Sequence, residues 1–453
     1  MRRIRPYLLL FAGLFIIYNS NLRPIASGDS LPASLIPYSL LLDHSLALDR
    51  FGPWMKEHLW YDPSIMEESQ GHWYSAYPVA GPVLVTPLYL PVLAFPSLAR
   101  QSPETLIVVG RITEKLAAAL LAALGSVWML LLLERLGSRG WAWSLTLLFA
   151  LGTTTWSASS QALWQHTFAQ VAIIATLYGL ARWEESAQTS WLWLCGASAG
   201  LGVAFRPTNV WLLPAVAAAL LVRRADWTDY ARFVVPVLLA MAPLELYNWL
   251  AFGRITGGYA WRFDGLFGEG IAGLLISPAR GLLIYTPAAL FAAAAWLPAA
   301  RSNRAKHCSL VTACAVFSIL HFGTIAKWHA WWGGFSWGPR LLTEMVVCLV
   351  VLMAVGSSAL RTSRLRIGFA IVAAYCVAIQ AIGAYCYPNG RWDQEPANVD
   401  HAMERLWNWR DNPIVRTARA GLVWQPYAIV GTAATQGLPA AAQEMRVYGI
   451  KPY

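Results

Sequence analysis

The sequence carries few charged residues for its length. Aspartate, glutamate, lysine and arginine fill 13% of the 453 positions, and hydrophobic residues fill 57%. A soluble domain usually carries about 25% charged residues. This shortage of charge excludes an ordinary soluble enzyme and predicts a protein immersed in lipid.

Cysteine is scarce, and one common nucleotide-binding motif is missing. The six cysteines lie within or at the ends of apolar stretches, with no CxxC spacing and no His/Cys cluster at zinc spacing. They are predicted to be small core residues rather than a disulfide framework. The P-loop pattern GxxxxGK[ST], which cradles nucleotide phosphates, is absent.

The net charge of +10 does not indicate nucleic-acid binding, because the basic residues are dispersed at the ends of apolar stretches. Short basic loops favour the cytosolic side of a membrane. We expect the N-terminus and the turns at 223–232, 301–306 and 361–366 to lie on the cytosolic side of a bacterial inner membrane. The opposite side then holds the active site and residues 253–280, 327–340 and 387–453.

Several stretches approach the roughly 20 apolar residues that a spanning helix needs. They include residues 116–133, 233–250, 282–297, 341–360 and 367–386. An N-terminus inside and a C-terminus outside require an odd number of crossings. The weakest stretch, 77–95, has a proline at nearly every helical turn, which breaks a helix. We therefore predict about eleven spans plus a proline-rich re-entrant segment within residues 79–99.

The fold class is predicted to be an all-α, polytopic transmembrane bundle. Residues 1–386 form its membrane domain, with a large first outer loop at 19–78 that bears interfacial helices, one of them at 35–51. Residues 387–453 form an outer tail with an amphipathic helix at 399–409. The N-terminal stretch could be a signal peptide, but it lacks a good cleavage site, so an uncleaved anchor is expected.

Asp29 stands in the segment Ser27–Ser30, directly after the first apolar stretch. It could cap a helix that begins near Pro32. Its loop follows a membrane anchor, so its carboxylate is expected near the lipid headgroups, where an enzyme with a lipid donor needs its base. A positioned carboxylate removes a hydroxyl proton well during sugar transfer. We therefore predict that Asp29 is the catalytic base.

Basic residues near the outer ends of helices are predicted to bind a donor phosphate, because arginine forks match phosphate oxygens. The candidates are Arg111, Arg280, Lys327 and Arg340. Arg111 could instead form a local ion pair with Glu114, three residues further along the same helical face.

Other polar and aromatic residues of the outer loops are predicted to contact substrate. They are Tyr77, His166, Arg206, Tyr285, His329, Trp331 and Trp337. His166 either faces a cavity or is satisfied structurally, because a histidine at membrane depth is otherwise expensive. The tryptophans beside Gly333-Gly334 could stack on a sugar or belong to an interfacial aromatic belt.

A divalent cation is possible but not required. Glu67, Glu68 and His72 could bind one, although neighbouring side chains rarely point to a single site. No other cofactor is predicted, and the identity of any metal stays open.

The chain resembles the GT-C superfamily of glycosyltransferases, which includes protein mannosyltransferases and lipid A aminoarabinose transferases. The resemblance rests on the polytopic pattern, on Gly28-Asp29-Ser30 in the first outer loop, on Tyr77-Pro78, and on Arg111 near the next helix start. Members often carry an acidic pair in that loop, whereas Asp29 is followed by serine. Where relatives often have a second acid, this chain has Gln165-His166.

This resemblance implies an inverting transfer at the outer face of the membrane. The donor would be a polyprenyl-phosphate sugar, and the acceptor a glycan, a lipid or a protein. Phosphate needs little protonation to leave, so one base and nearby arginines would suffice.

Three other functions are compatible with a bundle of this kind. A transporter or flippase of lipid-linked saccharides would place ionisable groups near the bilayer midplane and would show inverted repeats. An assembly subunit of an envelope complex would carry an inactive site. An enzyme like an O-antigen ligase or a lipid phosphotransferase would rely on arginines and a histidine rather than on Asp29.

Overall fold

The computed structural model describes residues 4–58, 65–94, 100–259, 261–437, 440–441 and 443–444. These residues form helices almost throughout, with a single two-stranded antiparallel hairpin. The predicted helical polytopic membrane fold is confirmed. Within these described ranges, five helical segments are long and apolar enough to cross a membrane.

The helices are numbered in chain order. They are α1 (Arg5–Asn19), α2 (Leu31–Tyr38), α3 (Gly52–His58), α4 (Ala80–Val85), α5 (Pro103–Leu133), α6 (Arg139–Leu151), α7 (Gln165–Ser186), α8 (Ser190–Phe205), α9 (Leu212–Val222), α10 (Trp227–Phe252), α11 (Phe267–Ile276), α12 (Leu282–Tyr285), α13 (Arg301–Lys306), α14 (Cys308–Lys327), α15 (Thr343–Gly356), α16 (Ser363–Cys386), α17 (Pro413–Ala420) and α18 (Gln425–Gln436). The strands are β1 (Met66–Ser69) and β2 (His72–Ser75), paired from Met66 with Ser75 to Ser69 with His72.

Four of the five spans named from the sequence lie within long apolar helical segments. These segments are α5, α10, α16 and Arg340–Ala359, which contains α15. The fifth stretch, 282–297, differs: α12 ends at Tyr285, and Pro287–Trp296 continues as a 3-10 helix. Pro287 lacks the backbone N–H that a continuous α-helix would use at that position.

The chain between α1 and α5 forms the first loop. Its α2 is buried along its whole length rather than lying amphipathic on a surface, so the expected interfacial helix at 35–51 is wrong for that part. The proline-rich segment forms α4 and then the 3-10 helix Thr86–Ala94, and residues 95–99 lie outside the described part.

The first loop returns close to where it began. Arg111 of α5 donates a hydrogen bond to Ser30 just after α1, with 3.3 Å between Nη1 and Oγ. Residues near the start and near the end of the first loop therefore lie side by side, and the re-entrant course of the proline-rich segment stays a prediction.

The C-terminal residues are attached to the bundle by a buried ion pair. Asp393 Oδ1 accepts a hydrogen bond from Arg280 Nη2 at 2.6 Å, and Tyr387 donates to its other oxygen at 2.7 Å. The amphipathic helix expected at 399–409 is reduced to one 3-10 turn, Met403–Trp407. The tail thus covers one end of the helices.

Candidate active site

Asp29 is presented by a short 3-10 turn at Gly28–Ser30. Ser27 caps this turn, because its Oγ accepts a hydrogen bond from the Asp29 backbone N–H at 3.1 Å. The helix that Asp29 could have capped, α2, begins after Ser30 and has no side-chain cap, so the Asp29 carboxylate is left for other contacts. A Cβ at Gly28 would lie 2.4 Å from the end of the Ile65 side chain, so a larger residue would require that side chain to move.

The Asp29 carboxylate is held by two donors and is still 34% exposed. Tyr77 donates its hydroxyl to Oδ1 at 3.0 Å, and Arg340 Nη1 donates to Oδ2 at 2.9 Å. Burial raises the pKa of Asp29, but the charge and hydrogen bond of Arg340 and the hydroxyl of Tyr77 outweigh it, so this pKa lies below its ordinary value. Asp29 is therefore ionised at neutral pH.

Arg340 is aimed at Asp29 by the preceding glycine-rich loop. Its Nη2 donates to the Gly333 carbonyl at 2.8 Å, and its guanidinium lies 4.2 Å above the Trp164 ring. Gly333, Gly334 and Gly338 all have positive φ, which L-residues with side chains rarely adopt. The Nε of Arg340 is buried and forms no hydrogen bond with any described residue.

A second charged cluster, which the sequence did not predict as a unit, lies one helical turn beyond Arg340. Glu344 is fully buried, and its Oε1 is 2.8 Å from Nδ1 of His166. Arg206 Nη1 is 2.8 Å from Nε2 of His166 and 3.4 Å from Oε1 of Glu344. His321 lies at the edge of the cluster, 3.9 Å from Glu344 Oε2.

Glu344 escaped the sequence interpretation because a single acid in the first turn of a helix usually complements the helix dipole. The signal that could have found it is its spacing of four from Arg340, which places both side chains on one helical face. Glu344 pairs with both His166 and Arg206, and these two side chains also contact each other. Both therefore have partners within the protein beside the candidate site.

Arg111 forms the local ion pair with Glu114 and also contacts the turn that carries Asp29. Its Nη1 is 2.7 Å from Glu114 Oε1, which is the local ion pair, and the same atom reaches Ser30 beside Asp29. Glu114 also accepts a hydrogen bond from the Leu163 backbone at 3.2 Å. Arg111 thus supports the turn that carries Asp29.

Arg280 is not brought to Asp29. Its side chain is completely buried, and its donors are engaged by the carbonyls of Trp332, Ala279 and Gly334 and by Asp393. A guanidinium enclosed in this way has little to offer a phosphate. It fastens the loop at 328–339 to the tail instead.

Three of the aromatic residues expected to contact substrate are buried in the protein. Tyr285, Trp331 and Trp337 are each at most 2% exposed. Trp331 packs where a Cβ on Gly273 would be only 2.1 Å away, and Tyr285 packs edge-on to Trp337 at 5.5 Å. These rings support the glycine-rich loop and are not available as a stacking surface.

The accessible aromatic surface is a different set of rings. Tyr259 packs against Tyr77, and a chain of ring contacts continues from Tyr259 through Trp261, Phe263 and Trp328. Trp261 and Phe263 are 40% and 38% exposed. We call Tyr259, Trp261, Phe263 and Trp328 the aromatic ladder.

Lys327 and His329 lie beside this ladder rather than beside Asp29. Lys327 Nζ donates to the Gly265 carbonyl at 3.0 Å, and the ring of His329 packs 4.9 Å from Trp328. Both side chains are polar groups of the loop surface, at a distance from the carboxylate.

Two adjoining cavities open around Tyr77. Asp29 lines a narrow cleft together with Gln165, Phe168 and Phe205. A larger cavity of about 470 Å³ lies along α10 and the aromatic ladder, with a largely apolar wall. Ser75, Tyr77 and Pro78 line both cavities, so the two spaces meet at Tyr77.

The described residues contain no group of three or more His, Cys, Asp or Glu side chains placed to hold a metal ion. In the first loop, His72 pairs with Asp49 at 2.6 Å, and Glu67 pairs with Arg254 at 2.6 Å. The side chains of His72 and Glu67 therefore contact different partners. The possible divalent cation stays a prediction.

No protein-family model matches the chain, and no curated protein sequence matches it. Among solved structures, the chain is similar to ArnT from Cupriavidus metallidurans, whose crystal structure contains undecaprenyl phosphate. The match has a TM-score of 0.52 at 15% identity, and it covers 98% of this chain and 75% of ArnT. The chain therefore shares the fold of ArnT.

Proposed function

We propose that this protein is a glycosyltransferase that moves a sugar from a polyprenyl-phosphate donor to a hydroxyl of a glycan, lipid or protein acceptor. The observation that carries the proposal is the Asp29 carboxylate, ionised and partly exposed beside a cavity that runs along a membrane-spanning helix. The bound lipid of ArnT supports a polyprenyl phosphate as the donor class.

In this mechanism Asp29 accepts the proton of the acceptor hydroxyl while the acceptor oxygen bonds to the anomeric carbon. The bond between that carbon and the phosphate oxygen breaks, and its electron pair leaves with the polyprenyl phosphate. Attack from the face opposite the leaving group inverts the anomeric centre. The proton then passes from Asp29 to water.

Arg340 has two roles in this scheme. Its contact with Oδ2 keeps Asp29 ionised, and its positive charge beside the carboxylate attracts the donor phosphate. An arginine directed at developing negative charge in a site shielded from water stabilises the transition state. Arg111 is the second candidate phosphate ligand, because it reaches Ser30 in the same turn.

The other predicted donor ligands take different roles. We assign Arg280 the positioning of the glycine-rich loop, because its guanidinium is enclosed. Lys327 lies beside the aromatic ladder, where it would meet an acceptor approaching from water.

The site is proposed to face the periplasm of a bacterial inner membrane, with the N-terminus in the cytosol. The basic turns at 223–232, 301–306 and 361–366 support this orientation through the preference of short basic loops for the cytosolic side. The proposed acceptor side would then be the cell envelope.

Asp29→Asn is the test of this function. The variant should lose about 10²- to 10⁴-fold in transfer, because an amide cannot take the hydroxyl proton. Transfer is measured with purified protein in proteoliposomes, from labelled undecaprenyl-phosphate sugars to an envelope extract.

The control is Asp264→Asn, which changes an exposed acid paired only with Arg262 among the described residues. It should transfer at the rate of the unsubstituted protein. Wild-type transfer by Asp29→Asn would refute the base assignment. Movement of the intact lipid-linked sugar without bond cleavage would instead identify a flippase.

A further inference from the structure

Helix α10 carries a carboxylate in an unusual position. Glu245 lies seven residues before the end of this candidate spanning helix, which is about 10 Å at 1.5 Å per residue. Its side chain is half-buried, and none of the described residues gives it a hydrogen bond or an ion pair. An acid in an apolar span is expensive and normally marks a functional group.

Glu245 lines the larger cavity and not the lipid surface alone. Asn248, one turn further along α10, lines the same wall, and Tyr77, Tyr259 and Trp261 line other parts of the cavity. The cavity thus combines a few polar groups with aromatic rings in an otherwise apolar space. This combination is typical of sites that bind a small organic group and fix its orientation.

The cavity also borders the narrow cleft that Asp29 lines. Tyr77 lines both spaces, and its hydroxyl donates to Asp29 at 3.0 Å. A group held against Glu245 would therefore lie on one side of Tyr77, while the base lies on the other.

The charge of Glu245 restricts what this group can be. A carboxylate in a space of low polarity repels a phosphate, whose place is on the side of Arg340 and Arg111. It accepts hydrogen bonds from hydroxyl groups, and these charge-assisted bonds are among the stronger ones. The faces of Tyr259 and Trp261 suit the apolar face of a pyranose ring.

We infer that Glu245 binds hydroxyl groups of the sugar on the lipid-linked donor and thereby helps to select that sugar. This inference rests on the proposed function, because it presumes a lipid-linked sugar as the ligand. The sugar would sit between Glu245 and Tyr77, with its phosphate directed towards Arg340.

The experiment compares binding of the lipid carrier with and without a sugar. Native mass spectrometry of the full chain in detergent micelles would use undecaprenyl phosphate and its glucose, mannose and galactose derivatives as probes. The unsubstituted protein should prefer at least one glycosylated carrier by about tenfold, as expected for one hydrogen bond to a charged acceptor.

Glu245→Ala should remove this preference without weakening binding of undecaprenyl phosphate itself. Glu245→Gln should keep part of it, because the amide oxygen still accepts a hydrogen bond. Glu404→Ala, at an exposed acid of the tail, is the matched control and should keep the full preference. Melting temperatures of all variants show whether each one folds.

The outcomes separate the two proposals. If the unsubstituted protein binds none of the four probes, the polyprenyl-phosphate donor is refuted. If it binds them equally, or if Glu245→Ala retains the preference, the role of Glu245 is refuted while the donor class stands. Loss of preference in Glu404→Ala as well would also refute a specific role for Glu245.

Discussion

At the scale of single residues, the Asp29–Arg340 pair sets the chemistry of the site. An aspartate held by an arginine is a weaker base than a free one, but it is ionised over a wider range of pH. Tyr77 has a pKa raised by burial and by Asp29, so it stays protonated and donates to the carboxylate. The ion pair therefore weakens Asp29 as a base but keeps its carboxylate ionised over a wider range of pH.

Arg340→Gln should move the acidic limb of the pH profile of transfer to higher pH. Removing the guanidinium leaves only the weaker effects of neighbours such as the Tyr77 hydroxyl to oppose burial, so the pKa of Asp29 rises. A base is lost as the pH falls through its pKa, and the loss then begins closer to neutrality. The measurement is the transfer rate as a function of pH.

Arg262→Gln is the control for this profile, because it removes an exposed arginine paired with Asp264. Its acidic limb should coincide with that of the unsubstituted protein. An unchanged acidic limb in Arg340→Gln would show that Arg340 does not control the ionisation of the base.

At the scale of elements, the loop at 328–339 and the start of the next helix build the site. The loop depends on positive φ at Gly333, Gly334 and Gly338, and it is fixed from behind by Arg280. The geometry that places Arg340 beside Asp29 therefore depends on residues that never touch a substrate.

Gly334→Ala should lower both stability and transfer. A Cβ there meets no other atom within 4 Å, so the cost is the left-handed backbone, about 1–2 kcal/mol. Gly71→Ala is the control, since Gly71 also has positive φ and open space but lies in the turn between β1 and β2. Both should lower the melting temperature, and only Gly334→Ala should reduce transfer further than its loss of folded protein explains.

The sequence predicted long helices well and broken ones poorly. Residues 116–133 and 367–386 have apolar runs that only a helix can accommodate in lipid. Residues 282–297 have the same composition, but Pro287 changes the hydrogen bonding. The expected helix at 399–409 failed because tertiary contacts of the tail determine its backbone.

The sequence left several side chains with more than one possible use, and packing decided between them. Asp29 could have capped a helix, and the fold shows its carboxylate held by Tyr77 and Arg340 instead. Arg280 and Arg340 look alike in sequence, each preceding a helix, and only packing separates the enclosed guanidinium from the one that reaches Asp29. Glu344 and Glu245 needed the fold, because their partners or neighbours come from distant helices.

At the scale of the whole molecule, the site is assembled at one end of the helical bundle. Asp29 and Tyr77 lie in the first loop, His166 lies in the first turn of α7, Arg206 directly follows α8, and Arg340 begins the segment that contains α15. These positions alternate between helix ends and helix starts, as expected for a chain that crosses back and forth.

Cysteine labelling tests the proposed orientation. With the six native cysteines replaced, Asp264→Cys should react with a membrane-impermeant maleimide in intact spheroplasts, because residues 253–280 are proposed to lie outside. Ser302→Cys, at an exposed position in α13, should react only after permeabilisation. The reverse pattern would invert the topology and place the site in the cytosol.

The hydrogen bond between Arg340 and Asp29 joins residues 311 positions apart. At a translation rate of roughly 5–20 residues per second, about 15–60 s separate the synthesis of the two partners. During that interval the nascent chain has its acid but not the arginine that completes the site. The proposed active site is therefore completed late, once the segment beginning at Arg340 has been inserted, and an arrested fragment ending earlier lacks the Asp29–Arg340 pair.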